Sequence, residues 1–269
     1  MANGYVKSLQ KAIDIIDCLA ANGEMGVTDI SKQFNISKSS VYNILNTFLQ
    51  NGWVEKNPVN DKYRLGLHIF ELGNVVRAGF KLREIAIPFM KELVNKTGET
   101  VHLTIFDDGD VVYIESAQPE NKLSIASVAG RRAHVHCTGV GKAILAFQST
   151  EVIEEIIAKK GLPRFTSNTI TDPVRLKEHL AEIRKQGYAV DNIEHEQGVK
   201  CVAAPIYNER GEVFASMSVT GPSPRFPDKK IEEYALIIKE ITANISRRLG
   251  WSGDHNGQKG VVDEIIESN

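Results

Sequence analysis

Hydrophobic positions recur at helical spacing through residue 50 and then alternate. Across residues 6–21 (VKSLQKAIDIIDCLAA), Leu9, Ile13, Ile16 and Leu19 share one helical face with Ala12 and Ala20 at its margin, and Asn22-Gly23 is suited to stop the helix. Thr28 is placed to cap a short second helix over Asp29–Phe34, and Asn35-Ile36 makes a turn. Ser37 is placed to cap a third helix over Lys38–Gln50, with Val41, Leu45 and Phe48 facing inward. Beyond Asn51-Gly52 the period drops to two. Trp53–Asn57 and Lys62–Leu65 predict short strands joined by Pro58-Val59-Asn60-Asp61, a hairpin wing sealed by Trp53 and Val54.

Helical spacing returns over residues 67–80, where Leu67, Phe70, Leu72 and Val76 predict a linker helix, and over 83–96, where Pro88 calls for a bend or a break before Gly98 closes the segment. From Thr100 the pattern alternates, with Val101, Leu103 and Ile105 on one side and His102, Thr104 and Phe106 on the other. This predicts a strand, a turn at Asp107–Asp110 and a second strand over 111–116; further strands are expected at 123–128, 199–207 and 213–220, the last two joined by Asn208–Gly211. Helices are predicted at 141–147, 151–160, 175–186 and 229–249. Strands with helices grouped beside them make an α+β fold. The stretch from Trp251 to Asn269, rich in Gly, Asp and polar residues, is expected to be a poorly ordered tail without an assigned role.

A chain of 269 residues is the length of about two domains. With 42% hydrophobic and 25% charged residues it can bury a sizeable core, which excludes a largely disordered or fibrous chain. There is no long uncharged apolar run and no signal-peptide pattern, so the expected location is the cytoplasm and no membrane partner is expected. Cys18, Cys137 and Cys201 are odd in number and lack CxxC spacing, which excludes a disulfide framework and fits a reducing compartment. A net charge of −2 excludes a uniformly basic nucleic-acid coat. Locally, however, Lys38, Lys56, Lys62 and Arg64 outnumber Glu55 and Asp61 between Ser37 and Arg64.

That stretch carries candidate chemistry. The outward face of the third helix holds Ser39, Asn43 and Asn46, flanked by Lys38, Ser40, Tyr42 and Thr47. Asn can pair bidentately with adenine, hydroxyls serve base edges or phosphates, and a helix start beside Lys38 attracts a phosphate. Any solvated helix carries such groups. A short helix, a tight turn, a longer polar-faced helix and a wing in this order, however, form a winged helix-turn-helix, with Lys62 and Arg64 on one face of the wing. The candidate DNA-contacting set is Thr28, Ser37, Lys38, Ser39, Ser40, Tyr42, Asn43, Asn46, Thr47, Lys62 and Arg64.

The stretch "ISKSSVYNILNTFLQNGWVEKNPVNDKYRLG" is followed in order by "LREIAIPFMKELVNKTGETVHL", "HVHCTGVGKAILA" and "GYAVDNIEHEQGVKCVAAPIY" with "SVTGP". With these segments the chain resembles the IclR family of bacterial transcriptional regulators over nearly its whole length. Taken with the residue pattern, the resemblance implies an N-terminal winged helix-turn-helix (residues 1–66), a linker helix (67–80) and a GAF-like effector-binding and oligomerisation domain of antiparallel sheet with flanking helices (81–250); the composition of 251–269 leaves these residues as a flexible tail. It also implies a homodimer or homotetramer on double-stranded operator DNA of pseudo-twofold symmetry, repressing catabolic or transport genes under the control of a small metabolite, with the linker helix carrying the signal.

The segment Arg131–Gly141 (RRAHVHCTGVG) runs cations, histidines and a cysteine into a Gly-rich turn that opens a helix. Such a turn offers backbone donors to a carboxylate, or else its glycines serve tight packing alone. The resemblance places Gly139 and Val140 at an effector site and adds Asp191, Cys201, Ser218 and Thr220. A carboxylate, a thiol and two hydroxyls suit the hydroxyl or oxo groups of a small carboxylate effector, monoanionic rather than dianionic. A thiol–imidazole pair of Cys137 or Cys201 with His134, His136 or His195, oriented by Asp191, lacks any hydrolase signature around it, so no catalytic residue and no enzyme activity is expected. A metal- or redox-sensing regulator using His134, His136, Cys137, Asp191 and Cys201 is the alternative reading. The H-x-H-C spacing is not that of structural zinc, and no metal ligand or cofactor is assigned.

Overall fold

The computed structural model describes residues 6–119 and 129–253; the strand expected at 123–128 and the tail beyond residue 253 lie outside them. The chain divides into two compact units, residues 1–80 and 81–269.

The first unit comprises α1 (Lys7–Asn22), α2 (Val27–Phe34), α3 (Lys38–Gln50), β1 (Val54–Lys56), β2 (Tyr63–Leu65) and α4 (Leu67–Ala78). Its core is Ile15, Leu19, Ile30, Val41, Leu45, Val54 and Tyr63, with Phe48 packed against it. The face that α1 buries differs from the expected one: Ile15, Cys18 and Leu19 are buried, whereas Leu9 is 59% and Ile13 45% exposed. The adjacent pair Ile15-Ile16 lets two overlapping apolar stripes be drawn on α1, and packing on α2 and α3 selects the one with Ile15.

Thr28 is not the cap of α2. Gly26 occupies that position and Thr28 lies exposed within the first turn. The chain stays extended this far because Met25 exchanges two backbone hydrogen bonds with Tyr63 (2.9 and 2.8 Å), adding a short third rung to the wing. Ser37 does cap α3, its Oγ accepting from Ser40 N at 3.3 Å. Helix α4 buries none of its residues, leaving Leu67, Phe70, Val75 and Val76 exposed.

The second unit opens with α5 (Lys81–Thr97), which runs through Pro88 without a break. Proline removes one helical hydrogen bond, and the buried row Leu82, Ala86, Met90, Leu93 and Val94 holds the helix together across it. The following elements are β3 (Thr100–Asp107), β4 (Asp110–Ala117), β5 (Arg132–His134), α6 (Gly139–Leu145), α7 (Thr150–Lys160), α8 (Pro173–Gln186), β6 (Ala189–Asn192), β7 (Val199–Tyr207), β8 (Val213–Pro222) and α9 (Asp228–Arg248). The six strands form one antiparallel sheet in the order β5-β4-β3-β8-β7-β6. The short strands β5 and β6 were not expected, since three or four residues carry too little alternation to be recognised.

Period-two alternation gives the sheet two chemically distinct faces. Val101, Leu103, Val202, Met217 and Val219 fall on one, covered by α5 and α9. His102, Thr104, Cys201, Ser216, Ser218 and Thr220 fall on the other, under α6. A polar face can be buried only if its groups find partners. Thr104 and Ser216 hydroxyls meet at 2.8 Å, and Ser216 Oγ donates to Val140 O at 2.9 Å, tying α6 to the sheet.

Lys142 of α6 is fully buried. It ion-pairs with the buried Glu194, donates to Val190 O at 2.7 Å and lies 3.3 Å from His179 Nε2. Together with Asn168 Nδ2 donating to Asn192 O (2.8 Å) and Asn192 N donating to Glu194 Oε1 (3.2 Å), this occupies backbone groups of the edge strand β6, which would otherwise be open to pairing with another chain. The bend after β6 holds Ile193 at φ 61°, a left-handed conformation rare for a β-branched residue. Thr166 Oγ1 donating to Ile193 O and Thr169 Oγ1 donating to Glu194 O, each at 2.6 Å, hold it there.

Removing one partner of a buried ion pair leaves an uncompensated charge. Lys142→Ala should therefore cost about 3–5 kcal/mol in urea unfolding. Adding Glu194→Gln to that variant should recover part of the loss.

Candidate functional sites: an exposed helix and a polar pocket

On α3, Lys38, Ser39, Ser40, Tyr42, Asn43 and Thr47 are exposed, while Asn46 is half-buried. The hydroxyls at the helix start interlock, Ser37 Oγ lying 3.2 Å from that of Ser39 and 2.8 Å from that of Ser40. Thr47 spends its hydroxyl hydrogen on Asn43 O at 2.9 Å. The two wing cations differ. Arg64 is bonded to Glu55 at 3.0 and 3.2 Å and lies 3.7 Å from Glu24, whereas Lys62 makes no ion pair among the described residues. Hydrogen bonds from Asn60 and Asn57 hold the Glu24 carboxyl below its usual range, so it stays an anion that anchors the wing. A phosphate can recruit Lys62 directly but must displace carboxylates from Arg64.

In the second unit, α6 and the polar face of the sheet enclose a cavity of about 60 Å³. Of the expected pocket residues, Val140, Asp191, Cys201, Ser218 and Thr220 line it. The strand register explains the convergence: Asp191 lies opposite Cys201, Cys201 opposite Thr220, and Ser218 opposite His102. Gly139 serves as the close contact behind the cavity, where a Cβ would collide with Cys201 Sγ. Its neighbour Gly141 is equally confined, by Val135 and by Thr138 Oγ1.

The turn keeps fewer free backbone donors than an open carboxylate cradle would. Gly141 N donates to Thr138 Oγ1 at 3.1 Å, and the amide of Gly139 faces the Cys201 sulfur. The expected pocket set also left out His102, Tyr113, Arg131, Thr138, His195, Glu196 and Val199 of the lining, although Arg131 and Thr138 lie in the stretch singled out from the sequence and His195 was weighed for other chemistry. His102 was legible as the polar member of an alternating strand. The others come from loops and from strands β4 and β7, and alternation alone does not aim them at this cavity.

Apart from Asp191, which is half ionised near pH 7, the interior is uncharged and rich in hydrogen-bonding groups. Burial raises the Asp191 carboxyl to about 7 against the opposing effects of the Glu194 N–H, which it accepts at 2.6 Å, and of Lys142. Burial lowers His102 to about 4, so its imidazole is uncharged, and its ring stands edge-on to Tyr113 at 5.3 Å. The Cys201 thiol is pushed up to about 12, first by burial and then by Asp191. Ser218 and Thr220 hydroxyls lie 3.2 Å apart. Exposed Arg131 and Glu196 stand with His195 at the rim.

The histidines weighed for metal binding pack instead around Phe165, with ring centroids 5.3 Å away for His134, 6.2 Å for His136 and 5.3 Å for His195. Cys137 lies 3.6 Å from His195 Nδ1, but burial raises its thiol to about 12. Among the described residues no group of three or more His, Cys, Asp and Glu is arranged to hold a metal ion. The metal- or redox-sensing alternative therefore lacks both a ligand set and a reactive thiolate in this geometry.

A winged helix that presents a polar third helix is the architecture of a DNA-binding transcriptional regulator. The chain belongs to the IclR family: residues 8–58 match the IclR helix-turn-helix domain and residues 76–247 the bacterial transcriptional regulator IclR C-terminal domain. It is 33% identical over 248 residues to the transcriptional repressor IclR of Escherichia coli strain K12, spanning 90% of each chain. The crystal structure of the Thermotoga maritima IclR is similar over 92% of this chain and all of its own, with 36% identity and a TM-score of 0.74. An IclR homologue from Microbacterium hydrocarbonoxydans, solved with 4-hydroxybenzoate, is similar over 90% of this chain and 98% of its own, with 25% identity and a TM-score of 0.77. No described helix is long and apolar enough to cross a membrane.

The raised Asp191 carboxyl has a stability consequence of definite sign. Between about pH 4 and 7 the folded chain keeps a proton that the unfolded chain releases, so this contribution is full at low pH and is lost as pH rises through 7. From pH 5 to 8 the wild type should lose on the order of 2 kcal/mol more stability than Asp191→Asn. Urea midpoints of both proteins at the two pH values measure the difference.

Proposed function

We propose that the first unit binds operator DNA through α3 and the wing, and that the second unit binds a small organic or sugar-derived monocarboxylate that controls this binding. The observation that carries the reading is the meeting of Val140, Asp191, Cys201, Ser218 and Thr220 in one cavity, in a chain whose other unit is a winged helix. A cavity of about 60 Å³ has room for on the order of five water-sized groups, the scale of a small acid. The neighbour that holds 4-hydroxybenzoate and the relative that is a repressor support a carboxylate signal and a repressing role; genes for uptake or breakdown of that acid are the targets this reading proposes.

One recognition helix reads only a few base pairs, so a pseudo-twofold operator calls for at least a homodimer. The exposed stripes Leu9 and Ile13 on α1 and Leu67, Phe70, Val75 and Val76 on α4 supply apolar surface for that assembly, and a homotetramer formed through the second units is compatible with it. The effector must bind the DNA-competent and DNA-free conformations unequally, since equal binding shifts neither population.

Operator selection followed by affinity titration across a salt series tests the DNA half. Asn43→Ala should lose about 1–3 kcal/mol of discrimination between operator and random DNA. Lys62→Ala should weaken both alike and lower the salt slope by about one. Equal weakening of both DNAs by Asn43→Ala removes it as a base reader. In the same titrations Ser218→Ala should blunt the response to an active carboxylate while effector-free operator binding is unchanged; an undiminished response removes Ser218 from the pocket model.

A further inference from the structure

The loop between α7 and α8 and the start of α8 enclose a second recess, of about 500 Å³, that shares no lining residue with the cavity under α6. Its volume is in the range of small-molecule sites, and Ile170 is the one apolar residue in its wall. Two of the lining residues, Arg164 and Arg175, are exposed and make no ion pair among the described residues. Arg164 donates to Ser167 O at 3.3 Å and to Thr171 Oγ1 at 3.1 Å, both uncharged. Arg175 stands in the first turn of α8, where the positive end of the helix dipole disfavours a cation and no acidic residue accompanies it. The carboxylate in this wall, Asp172, caps the helix, its Oδ1 accepting from Arg175 N at 2.8 Å. Two guanidiniums against one carboxylate leave the recess net positive.

An unpaired cation held against the local field is a departure from what the fold alone favours, and such departures concentrate at ligand sites. Two guanidinium forks suit a phosphate, which has oxygens enough to meet both and a charge near −2 that a single carboxylate lacks. A further recess of about 410 Å³ adjoins the first through the shared residues Asn168, Ile170 and Asn192. Its wall includes Glu194, whose buried Oε2 has no hydrogen-bond partner although Oε1 meets Lys142 and Asn192 N. Asp228, exposed in the same wall, makes no ion pair among the described residues, and Lys200 is the cation there. Carboxylate oxygens accept from hydroxyls and oppose a second anion, so the two recesses ask for different ends of one molecule.

We infer that these adjoining recesses bind a small phosphorylated, hydroxylated metabolite of the sugar phosphate class, with the phosphate between Arg164 and Arg175 and the hydroxyls toward Asn192 and Glu194. This site is separate from the one proposed under α6 and stands whatever that one binds. The two sites share a wall. Thr169 Oγ1 of the charged recess donates to Glu194 O at 2.6 Å and Asn168 Nδ2 to Asn192 O at 2.8 Å, in the same short stretch whose Asp191 lines the cavity under α6. Occupancy of the recess therefore holds residues 192–194 more firmly and is felt by the other site.

Calorimetry on the full-length protein at constant ionic strength tests the site, with glucose 6-phosphate, glycerol 3-phosphate and inorganic phosphate as probes and glucose and glycerol as uncharged counterparts. At least one ester should bind more tightly than inorganic phosphate, and its uncharged counterpart should not bind. The Arg175 side chain makes no hydrogen bond or ion pair among the described residues, so its replacement leaves the fold intact. Arg175→Gln should weaken that ester by about tenfold or more, and Arg175→Lys should retain part of the affinity, since a point charge replaces the fork. Hydrogen exchange read by mass spectrometry should slow over residues 164–176 and 192–194 when the ester is added to the wild type, and not when it is added to Arg175→Gln. Inorganic phosphate binding as tightly as both esters overturns the metabolite and leaves a site for the free ion. Failure of both esters to bind at millimolar concentration, or an affinity that Arg175→Gln leaves unchanged, overturns the site itself.

Discussion

The second unit is organised by the burial of Lys142 against Glu194. A fully buried ammonium is tolerated only when its charge and its hydrogens are satisfied, and the groups that satisfy it come from three places: the bend after β6, the backbone of β6 and His179 of α8. That requirement fixes α6 over the sheet edge and brings Gly139 and Val140 close to Cys201. The same bend presents Asp191, because Glu194 donates its N–H to Asp191 while its carboxylate meets Lys142. Pocket wall and ion pair are thus two sides of one four-residue stretch, Asp191–Glu194.

The chemical character of the cavity follows from this closeness. Packing α6 onto a polar sheet face removes water, and removal of water, more than any neighbouring charge, keeps His102 and Cys201 in their neutral forms near neutral pH and brings Asp191 to the midpoint of its titration there. The result is a set of groups that can both donate and accept, with Asp191 as the titrating member of the interior. Such a site discriminates by matching hydrogen bonds inside and by charge outside, which are separable contributions to specificity.

In the first unit the analogous constraint is the corner at Glu24 and Met25. Backbone pairing of Met25 with Tyr63 and the carboxylate of Glu24 on Asn57 and Asn60 brace the wing against the start of α2. This keeps Arg64 occupied by carboxylates and leaves Lys62 as the cation on the wing without an ion pair, a distinction that strand alternation does not make.

Much of this was legible in the amino-acid order. The three helices and the wing of the first unit, the cap at Ser37, the long strands β3, β7 and β8 and the alternation that puts His102 opposite Val101 all follow from local periodicity and turn chemistry, which act over a few residues. The tertiary structure decided the rest. It chose Ile15 over Ile13 as the buried face of α1, because both faces are apolar and only the position of α2 and α3 separates them. It assigned Gly26 rather than Thr28 to the start of α2 through a pairing with Tyr63, a residue far along the chain. It formed β5 and β6, too short to be seen alone, and closed the Gly139–Gly141 turn with Thr138 and Cys201. It also separated Arg131 from Arg132, identical in sequence character, by giving one a carboxylate partner and the other a place at the pocket rim. Periodicity reports which face of an element is apolar. Which groups meet across elements depends on register and close packing between distant segments, and that information exists only once the chain has folded.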